Sequence, residues 1–337
     1  MKLSREKKAA MDQYALEIID KQYDNIPQYI SEVFKVDRST AFRCISRLLQ
    51  ENRIIREKRG RYTLVKEKWD YVLDRGKGDL NSDIGAFEHY LLSHIQSFPQ
   101  NVVQIWSYVF SEMINNVMDH SGSETAIVSI RQDCLKTKVF IIDQGVGIFE
   151  KIKAYFGFSS VEESIEELFK GKLTTDKENH SGEGIYFSSR LMDSFAIISS
   201  GKIFTCNHFD EEEILNLKKE HDVPGTCVYM NLANNSAKTA KEIFDHFSDE
   251  EGGFIRTMIP MKNMFDSAPV SRSQAKRLSH RFEEFKEVIL DFEGIDWIGQ
   301  GFADQLFRVF VNAHPEIKIL PENMNAEVRK MVQHVKN

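Results

Sequence analysis

The chain has 337 residues, of which 42% are hydrophobic and 28% are charged, and its formal net charge is −7 at pH 7. This length suggests two or three domains with enough apolar side chains for real cores. No apolar run approaches the roughly 18 residues of a membrane helix, and the charged N-terminus lacks the apolar stretch of a secretory signal. The four cysteines, Cys44, Cys134, Cys206 and Cys227, show no CxxC spacing. That pattern argues against a zinc site or a disulfide framework and predicts a cytoplasmic protein that makes no membrane contact.

Charge is distributed unevenly, and the N-terminal segment is basic. Residues 1–68 hold 16 lysines and arginines against 10 acidic residues, a net of +6, whereas the remainder has a net of −13. The segment predicts helices over "AAMDQYALEIID", "IPQYISEVF" and "RSTAFRCISRLLQENRII", then two strands about Gly60. A basic N-terminal segment joined to an acidic remainder suggests that only the N-terminal segment contacts nucleic acid.

Residues 1–66 resemble a winged helix-turn-helix through the "STAFRCISRLLQENRII" spacing and the basic hairpin that follows it. The resemblance implies a recognition helix that starts near Ser39 and Thr40, whose hydroxyls would cap it and touch phosphates. The DNA-binding residues that it implies are Arg38, Ser39, Thr40, Arg43, Arg47, Lys58, Arg59 and Arg61. Because one small module gives limited affinity, a homodimer is expected on DNA. The alternative is a winged helix that docks on a protein.

The next two segments are predicted to be a linker and a mixed α/β domain. Residues 67–82 contain polar residues and two glycines, Gly76 and Gly78, a composition that is typical of a linker. Residues 83–262 predict helices over "DIGAFEHYLLSHIQSF", "NVVQIWSYVFSEMINNVMDHSG", "SVEESIEELFKG" and "GIYFSSRLMDSF", and strands over "TAIVSIR", "TKVFIID", "AIISS", "KIFTC" and "TCVYMNL". Together they indicate one helical layer on one mixed sheet, so the fold class is α+β.

One helix of this domain combines an apolar face with a polar one. In "SEMINNVMDHSG", Glu112, Asn116 and Asp119 share one side of the helix, beside apolar positions that face the interior. Magnesium prefers oxygen ligands and retains several waters, so this side could hold a hydrated Mg²⁺. A solvated polar face would give the same pattern.

Three glycine-containing motifs follow this helix. "IIDQGVGIF" ends an apolar strand in an aspartate, "SGEGIYFSS" opens a helix, and "PGTCVYMNL" opens a strand. A glycine-rich entry into a helix lets backbone N–H groups approach phosphate oxygens. The motif residues are Asp143, Gly145, Gly147, Gly182, Gly184 and Thr226. Each motif alone also fits an ordinary turn.

In order and spacing, the four motifs resemble the Bergerat-fold ATP-binding domain of the GHKL family. That family includes type II topoisomerases, histidine kinases, mismatch-repair ATPases and anti-sigma-factor kinases. The resemblance covers residues 83–262 and implies that Asp143 accepts a hydrogen bond from the adenine amino group, partly through Thr226 and a water. It also implies that Gly145 and Gly147 let the backbone pass close under the base.

The same resemblance implies a phosphate and metal region. Asn116 would coordinate Mg²⁺, with Asp119 beside it, and Glu112 would be the general base or would position water. Gly182 and Gly184 would end a lid, "GKLTTDKENHSGEG", so that the next helix N-terminus meets the phosphates. Lys172 and Lys177 in that lid are the phosphate partners expected there.

The C-terminal segment, residues 263–337, alternates helices and strands in a small α/β unit. Its stretch "VILDFEGIDWIGQGFADQLFRVF" resembles STAS-like domains, the fold of anti-anti-sigma factors, and implies a protein-binding role. Those factors commonly hold a phosphorylatable Ser-Ser in the turn after the strand. Here the turn is Gly299-Gln300-Gly301, so no hydroxyl is available and phosphorylation at that point is not expected.

Combined, the segments predict an ATP- and Mg²⁺-binding regulator, a transcriptional or signalling switch that contacts DNA through its winged helix. Two alternatives stay open from the sequence. One is a serine/threonine protein kinase of the anti-sigma-factor type, and the other is an ATPase effector whose winged helix binds a protein. Whether the nucleotide is hydrolysed, transferred or only sensed does not follow from the sequence.

Overall fold

The computed structural model describes residues 4–58, 60–175, 181–207, 216, 219, 224–265 and 267–336. The chain divides into two compact units. The first contains residues 1–71, 129–139 and 231–236, and the second contains residues 72–128, 140–230 and 237–337.

Three helices and a hairpin occupy the N-terminal part of the first unit. Their bounds are α1 (Arg5–Asp20), α2 (Ile26–Phe34), α3 (Arg38–Gln50), β1 (Ile54–Lys58) and β2 (Arg61–Leu64). The two strands pair antiparallel about Gly60, whose φ is +81°. Apolar side chains from all five elements, among them Leu16, Ile30 and Leu48, form one buried cluster with Ile54. The predicted helices and hairpin are therefore confirmed.

A strand replaces most of the predicted linker. Residues 67–74 form β3 (Glu67–Asp74), and a short 3₁₀ turn (Arg75–Lys77) follows. In "EKWDYVLD" the larger aromatic and aliphatic side chains of Trp69, Tyr71 and Leu73 alternate with more exposed positions, which is the period of a strand. The glycines of this segment, Gly76 and Gly78, come only after Asp74, so the linker prediction is wrong for residues 67–74.

Six of the described strands form one sheet in the order β3-β4-β5-β8-β6-β7. The strands are β4 (Thr125–Gln132), β5 (Lys136–Asp143), β6 (Ser194–Ser199), β7 (Lys202–Thr205) and β8 (Thr226–Ala233). The helices of this part of the chain are α4 (Asp83–Ala86), α5 (Leu92–Ile95), α6 (Gln100–Asn116), α7 (Ile148–Phe156), α8 (Val161–Lys170), α9 (Gly184–Leu191) and α10 (Ala240–Phe247), with π-helical turns at Phe87–Leu91 and Val117–Ser121. A mixed α/β architecture with a multi-stranded sheet is thus confirmed.

Helix α6 is the central buried helix of the second unit. The predicted inward positions Val109, Met113, Ile114 and Val117 are all buried, with at most 4% exposure. Because apolar side chains recur at a helical period, one face of α6 is fixed against the interior and the opposite face is left for polar groups.

A separate three-stranded parallel sheet completes the second unit. It has the order β11-β10-β9, with β9 (Arg256–Pro260), β10 (Glu287–Asp291) and β11 (Lys318–Glu322). Its helices are α11 (Met261–Met264), α12 (Arg272–Leu278), α13 (Gln300–Asp304), α14 (Val311–Ala313) and α15 (Ala326–Lys336), with a 3₁₀ turn at Phe282–Glu284 and a π-helical turn at Gln305–Phe310. Strand β9 had no predicted counterpart and precedes the boundary predicted at residue 263.

Candidate functional site

A cavity of about 270 Å³ lies in the second unit. Its lining comes from α6, β5, α7, α8, α9, β6 and β8 and from the segments beside α9. The predicted site residues that line it are Glu112, Asn116, Asp143, Gly147, Gly182, Gly184 and Thr226. Asp119, Gly145 and Lys172 are not lining residues. The volume is close to the lower end of the range for small-molecule sites, about 300 Å³.

Helix α6 presents Glu112 and Asn116 to the cavity one helical turn apart. His120, in the π-helical turn that follows, continues this row and also lines the cavity. The row exists because the buried face of α6 fixes the rotation of the helix. Within the described residues no group of three or more His, Cys, Asp or Glu side chains could hold a metal ion. A bound Mg²⁺ would therefore need ligands from water or from a bound molecule in addition to the Asn116 amide oxygen.

Asp143 is a buried carboxylate at the end of β5, with 5% exposure. The Gly145 N–H donates to its Oδ1 at 2.8 Å, and the N–H and hydroxyl of Thr226 also hydrogen-bond it. Burial raises the pKa of Asp143 above its ordinary value, although these hydrogen bonds oppose the change. A carboxylate has about four acceptor positions, so capacity remains for one donor from a ligand in the cavity.

Thr226 hydrogen-bonds to both of the elements that meet beside Asp143. Its Oγ1 accepts from the N–H of Ile148 at 3.0 Å, at the first residue of α7, while Thr226 also hydrogen-bonds Asp143. The start of α7 and the end of β5 are thus held together by one hydroxyl. Asp143 and Thr226, the two residues predicted to share a base, are thus hydrogen-bonded to each other, and their role toward a base stays a prediction.

Gly145 has a packing role instead of a lining one. A Cβ there would lie 1.9 Å from the Ser121 carbonyl oxygen, a distance that no side chain can occupy. The absence of a side chain lets the turn after β5 pass against the end of the π-helical turn of α6. The Gly145 N–H donates to Oδ1 of Asp143, which lines the cavity.

A further part of the lining comes from residues before α9 and from its first turn. Thr174, Thr175, Ser181 and Gly182 line the cavity, together with the start of α9. A Cβ on Gly184 would lie 2.0 Å from Glu112 Oε2, so glycine at this position lets α9 begin directly beside the Glu112 carboxylate. The first N–H groups of a helix have no intrahelical acceptor and favour anions.

Two charged side chains of the lining were not predicted as site residues. Glu183 lines the cavity, and burial raises the pKa of its carboxyl. Lys151, on α7, also lines it, and its Nζ donates to the His120 carbonyl oxygen at 2.7 Å. Burial lowers the pKa of Lys151, with the charge of Asp119 opposing that change. Lys151 was missed because α7 was not predicted as a helix, although "IFEKIKAYF" has apolar residues at helical spacing.

Lys172, a predicted phosphate partner, is engaged elsewhere. Its Nζ donates to the Glu284 carbonyl oxygen at 2.7 Å and lies 4.8 Å from the ring centre of Phe285. Lys177, the other predicted phosphate partner, lies outside the described residues. The cation that lines the described part of the cavity is instead Lys151.

A buried ionic network adjoins the cavity wall at the end of α8. Lys170 is 0% exposed, and its Nζ contacts Glu167 Oε1 at 2.6 Å and the carbonyl oxygens of Arg277 and His280 at 3.2 and 2.9 Å. Arg281 joins it by donating to Glu167 Oε2 at 3.1 Å.

Arg281 also holds the backbone that leads into the cavity. Its Nη2 donates to the carbonyl oxygens of Gly171 and Lys172 at 3.2 and 2.6 Å. Gly171 and Lys172 both have positive φ angles, +80° and +52°, and Leu173 and Thr174 immediately after them line the cavity. The network therefore connects residues near 280 with one wall of the cavity.

On α3 of the first unit, the predicted DNA-binding residues divide into two groups. Arg38, Ser39 and Arg43 are exposed, together with Phe42, which is 44% exposed and 5.9 Å from the Arg38 guanidinium. Arg47 instead pairs with the carboxylate of Asp12 on α1.

The N-terminus of α3 is capped differently from the prediction. Asp37 is the N-cap, and its carboxylate accepts from the Thr40 N–H at 2.8 Å and from both hydroxyls of Ser39 and Thr40. These bonds lower the pKa of Asp37 to about 2. Thr40 is buried, and Arg43 donates to its Oγ1 at 2.8 Å. Within the hairpin Lys58 is exposed and Arg61 pairs with Glu57, whereas Arg59 lies outside the described residues.

Comparison with known families identifies the C-terminal segment. Residues 274–329 match a STAS-like domain, so the resemblance predicted for this segment is confirmed over those residues. The matching family is the STAS-like domain of unknown function DUF4325. The comparison with curated proteins finds no match. Within the described ranges, no helix has the length and apolar character needed to cross a bilayer.

Proposed function

We propose that the protein binds ATP with Mg²⁺ in the cavity of the second unit and acts as a nucleotide-dependent switch of the GHKL type. The observation that supports this is the convergence of four motifs that are far apart in the sequence. Glu112 and Asn116 of the first motif line one cavity together with Asp143, Gly184 and Thr226 of the other three. A chance set of glycine turns and a solvated helix face would have no reason to meet around one space.

The side chains around Asp143 suit an adenine ring. Asp143 is buried, is held by the Gly145 N–H and keeps one acceptor position for an exocyclic amino group. Ile141, Ile148 and Ile197 add apolar surface around it. A purine with an amino donor fits this combination of one carboxylate and several aliphatic side chains.

Around Asn116, Glu112 and the start of α9, the residues of this chain would bind Mg²⁺, orient the phosphates and accept a proton. Asn116 would supply an amide oxygen to Mg²⁺, and the first N–H groups of α9 would face phosphate oxygens. Glu112, which α9 approaches at Gly184, would accept a proton from an attacking water or hydroxyl. When bound, ATP supplies the phosphoryl group whose bond such a base can help to break.

Nucleotide titration by isothermal calorimetry, with and without Mg²⁺, tests the proposal. Losing a hydrogen bond to a charged acceptor costs about 1.5–3 kcal/mol, so Asp143→Asn should weaken ATP binding roughly tenfold to a hundredfold. Asp245→Asn is the matched control, because Asp245 is an exposed residue of α10 that pairs with Lys241. Unchanged affinity in Asp143→Asn would remove Asp143 from the base pocket, and a wild-type protein that binds no nucleotide would refute the proposal.

Labelled ATP distinguishes the switch from the two enzymatic alternatives. Free phosphate would indicate an ATPase, and label on a protein would indicate a kinase. Glu112 in the cavity lining is the feature that favours either enzyme, since a pure switch needs no base. Nucleotide binding without either product would favour the switch.

For the output of the switch, we propose that α3 contacts DNA. Arg38 and Arg43 are exposed on one helix of a net basic segment, and a winged helix would direct such a face into the major groove. Arg43→Gln should weaken DNA binding and should reduce the slope of log K against log salt concentration by about 1, because one phosphate contact is lost. Lys8→Gln, which removes an exposed lysine from α1, is the control. Equal losses in the two variants would leave only unspecific attraction to a basic segment.

A further inference from the structure

Lys151 is the cation that the cavity presents to a ligand. Among the described lining residues it is the only lysine or arginine, whereas three lining side chains, Glu112, Asp143 and Glu183, are acidic. A nucleotide polyphosphate would meet unfavourable charge from Glu112 and Glu183 unless cations compensate it. Mg²⁺ and the first N–H groups of α9 can do part of this, and Lys151 is the lysine or arginine of the described lining that can add a positive charge.

The position of Lys151 is fixed by its neighbours. Helix α7 begins at Ile148, whose N–H is held by the Thr226 hydroxyl, and Lys151 follows one turn later. The Lys151 Nζ lies 2.7 Å from the His120 carbonyl oxygen and 3.4 Å from the His120 Nδ1. His120 is one turn beyond Asn116 on the same side of α6, so the ammonium lies on the Asn116 side of the cavity.

The ammonium has a donor to spare. A lysine has three N–H donors, and the His120 oxygen and ring nitrogen account for two. The third can reach a ligand oxygen without loss of the bond to the His120 carbonyl. An anion near Asn116 would therefore gain a charge-assisted hydrogen bond from a side chain that is already anchored.

We propose that Lys151 binds the phosphate groups of the nucleotide, on the same side of the cavity as Asn116. This inference rests on the proposed nucleotide-binding function and adds a specific residue to it. The competing explanation is structural, since Lys151 also satisfies a carbonyl oxygen at the end of the α6 π-helical turn. The two explanations differ in which ligands a Lys151 variant should lose.

Calorimetric titration of the full-length protein with adenosine, AMP, ADP and ATP separates them. We expect Lys151→Gln to weaken ATP and ADP binding about tenfold to a hundredfold and to leave adenosine binding within about twofold. Lys151→Arg should retain most of the affinity because the charge is kept. Lys153→Gln is the matched control, because Lys153 lies two residues away on α7, pairs with Glu150 and does not line the cavity.

The possible results are distinct. If Lys151→Gln weakens adenosine and ATP equally, or leaves both unchanged while the wild type binds them, the phosphate role is overturned and the proposed function stands. If the wild type binds none of the four ligands, the proposed function fails and this inference fails with it. Melting curves of each variant without ligand show whether a loss comes from folding; a Lys151→Arg variant that folds and still loses ATP selectively would also count against a simple charge role.

Discussion

Glu167 provides the most direct test of the buried charges beside the cavity wall. Its carboxylate contacts three basic groups: Lys170 Nζ at 2.6 Å, His280 Nδ1 at 3.0 Å and Arg281 Nη1 at 3.1 Å. Its side chain is 5% exposed, and that of Lys170 is 0% exposed. Substitution of Glu167 by Gln keeps the size of the side chain and removes the one charge that these groups share.

The expected cost follows from burial. Removing one partner of a buried ion pair costs about 3–5 kcal/mol, because the remaining charge is left uncompensated. In Glu167→Gln the Lys170 ammonium keeps only uncharged acceptors, the carbonyl oxygens of Arg277 and His280 and the new amide oxygen, while Arg281 keeps Glu284. A cost in that range should lower the melting temperature by roughly 6–20 °C for a unit of this size.

Glu162→Gln is the matched control on the same helix. Glu162 also forms an ion pair, with Lys202 at 2.7 Å, but both side chains are about half exposed, 54% and 49%. Exposed pairs contribute about 0–1 kcal/mol, so this variant should melt close to the wild type. Differential scanning calorimetry of the two variants checks the contrast. Equal melting temperatures for Glu167→Gln, Glu162→Gln and wild type would refute the reasoning that burial makes the Glu167 charge essential.

Three further outcomes are expected. Because burial raises the pKa of Asp143, the wild type should lose stability relative to Asp143→Asn as the pH rises from 3.8, the ordinary carboxyl pKa, to 7, and melting curves of the two nucleotide-free proteins check this trend, which adds to a constant cost of the poorer hydrogen bonds that the amide makes with Gly145 and Thr226. Gly184→Ala should displace the flexible Glu112 carboxylate into the cavity and weaken calorimetric ATP·Mg²⁺ binding about tenfold, with little change in melting; unchanged binding would show that Glu112 can move aside. Arg47→Gln should destabilise the first unit by about 1–3 kcal/mol in urea unfolding, since it leaves the Asp12 carboxylate without its guanidinium.

Elements defined by local periodicity were predictable from the sequence. The inward face of α6 and the helices and hairpin of the N-terminal segment are set by apolar spacing and turn glycines, which are properties of short windows. The positions of Asp143 and Gly184 at the ends of their elements were predictable for the same reason. That these motifs line one cavity depends on the order of strands in the sheet, which no single window contains.

The surprises come from long-range partners. Arg47 follows the spacing of an exposed recognition helix, yet Asp12, which lies on another helix, determines its contact. Lys172 lies in the segment expected to hold phosphate, but its ammonium donates to the backbone carbonyl oxygen of Glu284. For Arg47 and Lys172 a distant residue competes for a group whose local pattern indicated a different role. Gly145, predicted to lie under a base, also allows the turn after β5 to approach Ser121.

The three-stranded parallel sheet has a consequence for anyone who isolates the C-terminal segment. The family match begins at residue 274, but β10 pairs on one side with β9, at residues 256–260. A fragment that starts at the family boundary would leave a row of N–H and C=O groups on β10 without acceptors and donors, and such an open strand edge recruits other chains. Excision before residue 256 retains the missing strand, so the sheet extends beyond the stretch by which the family is recognised.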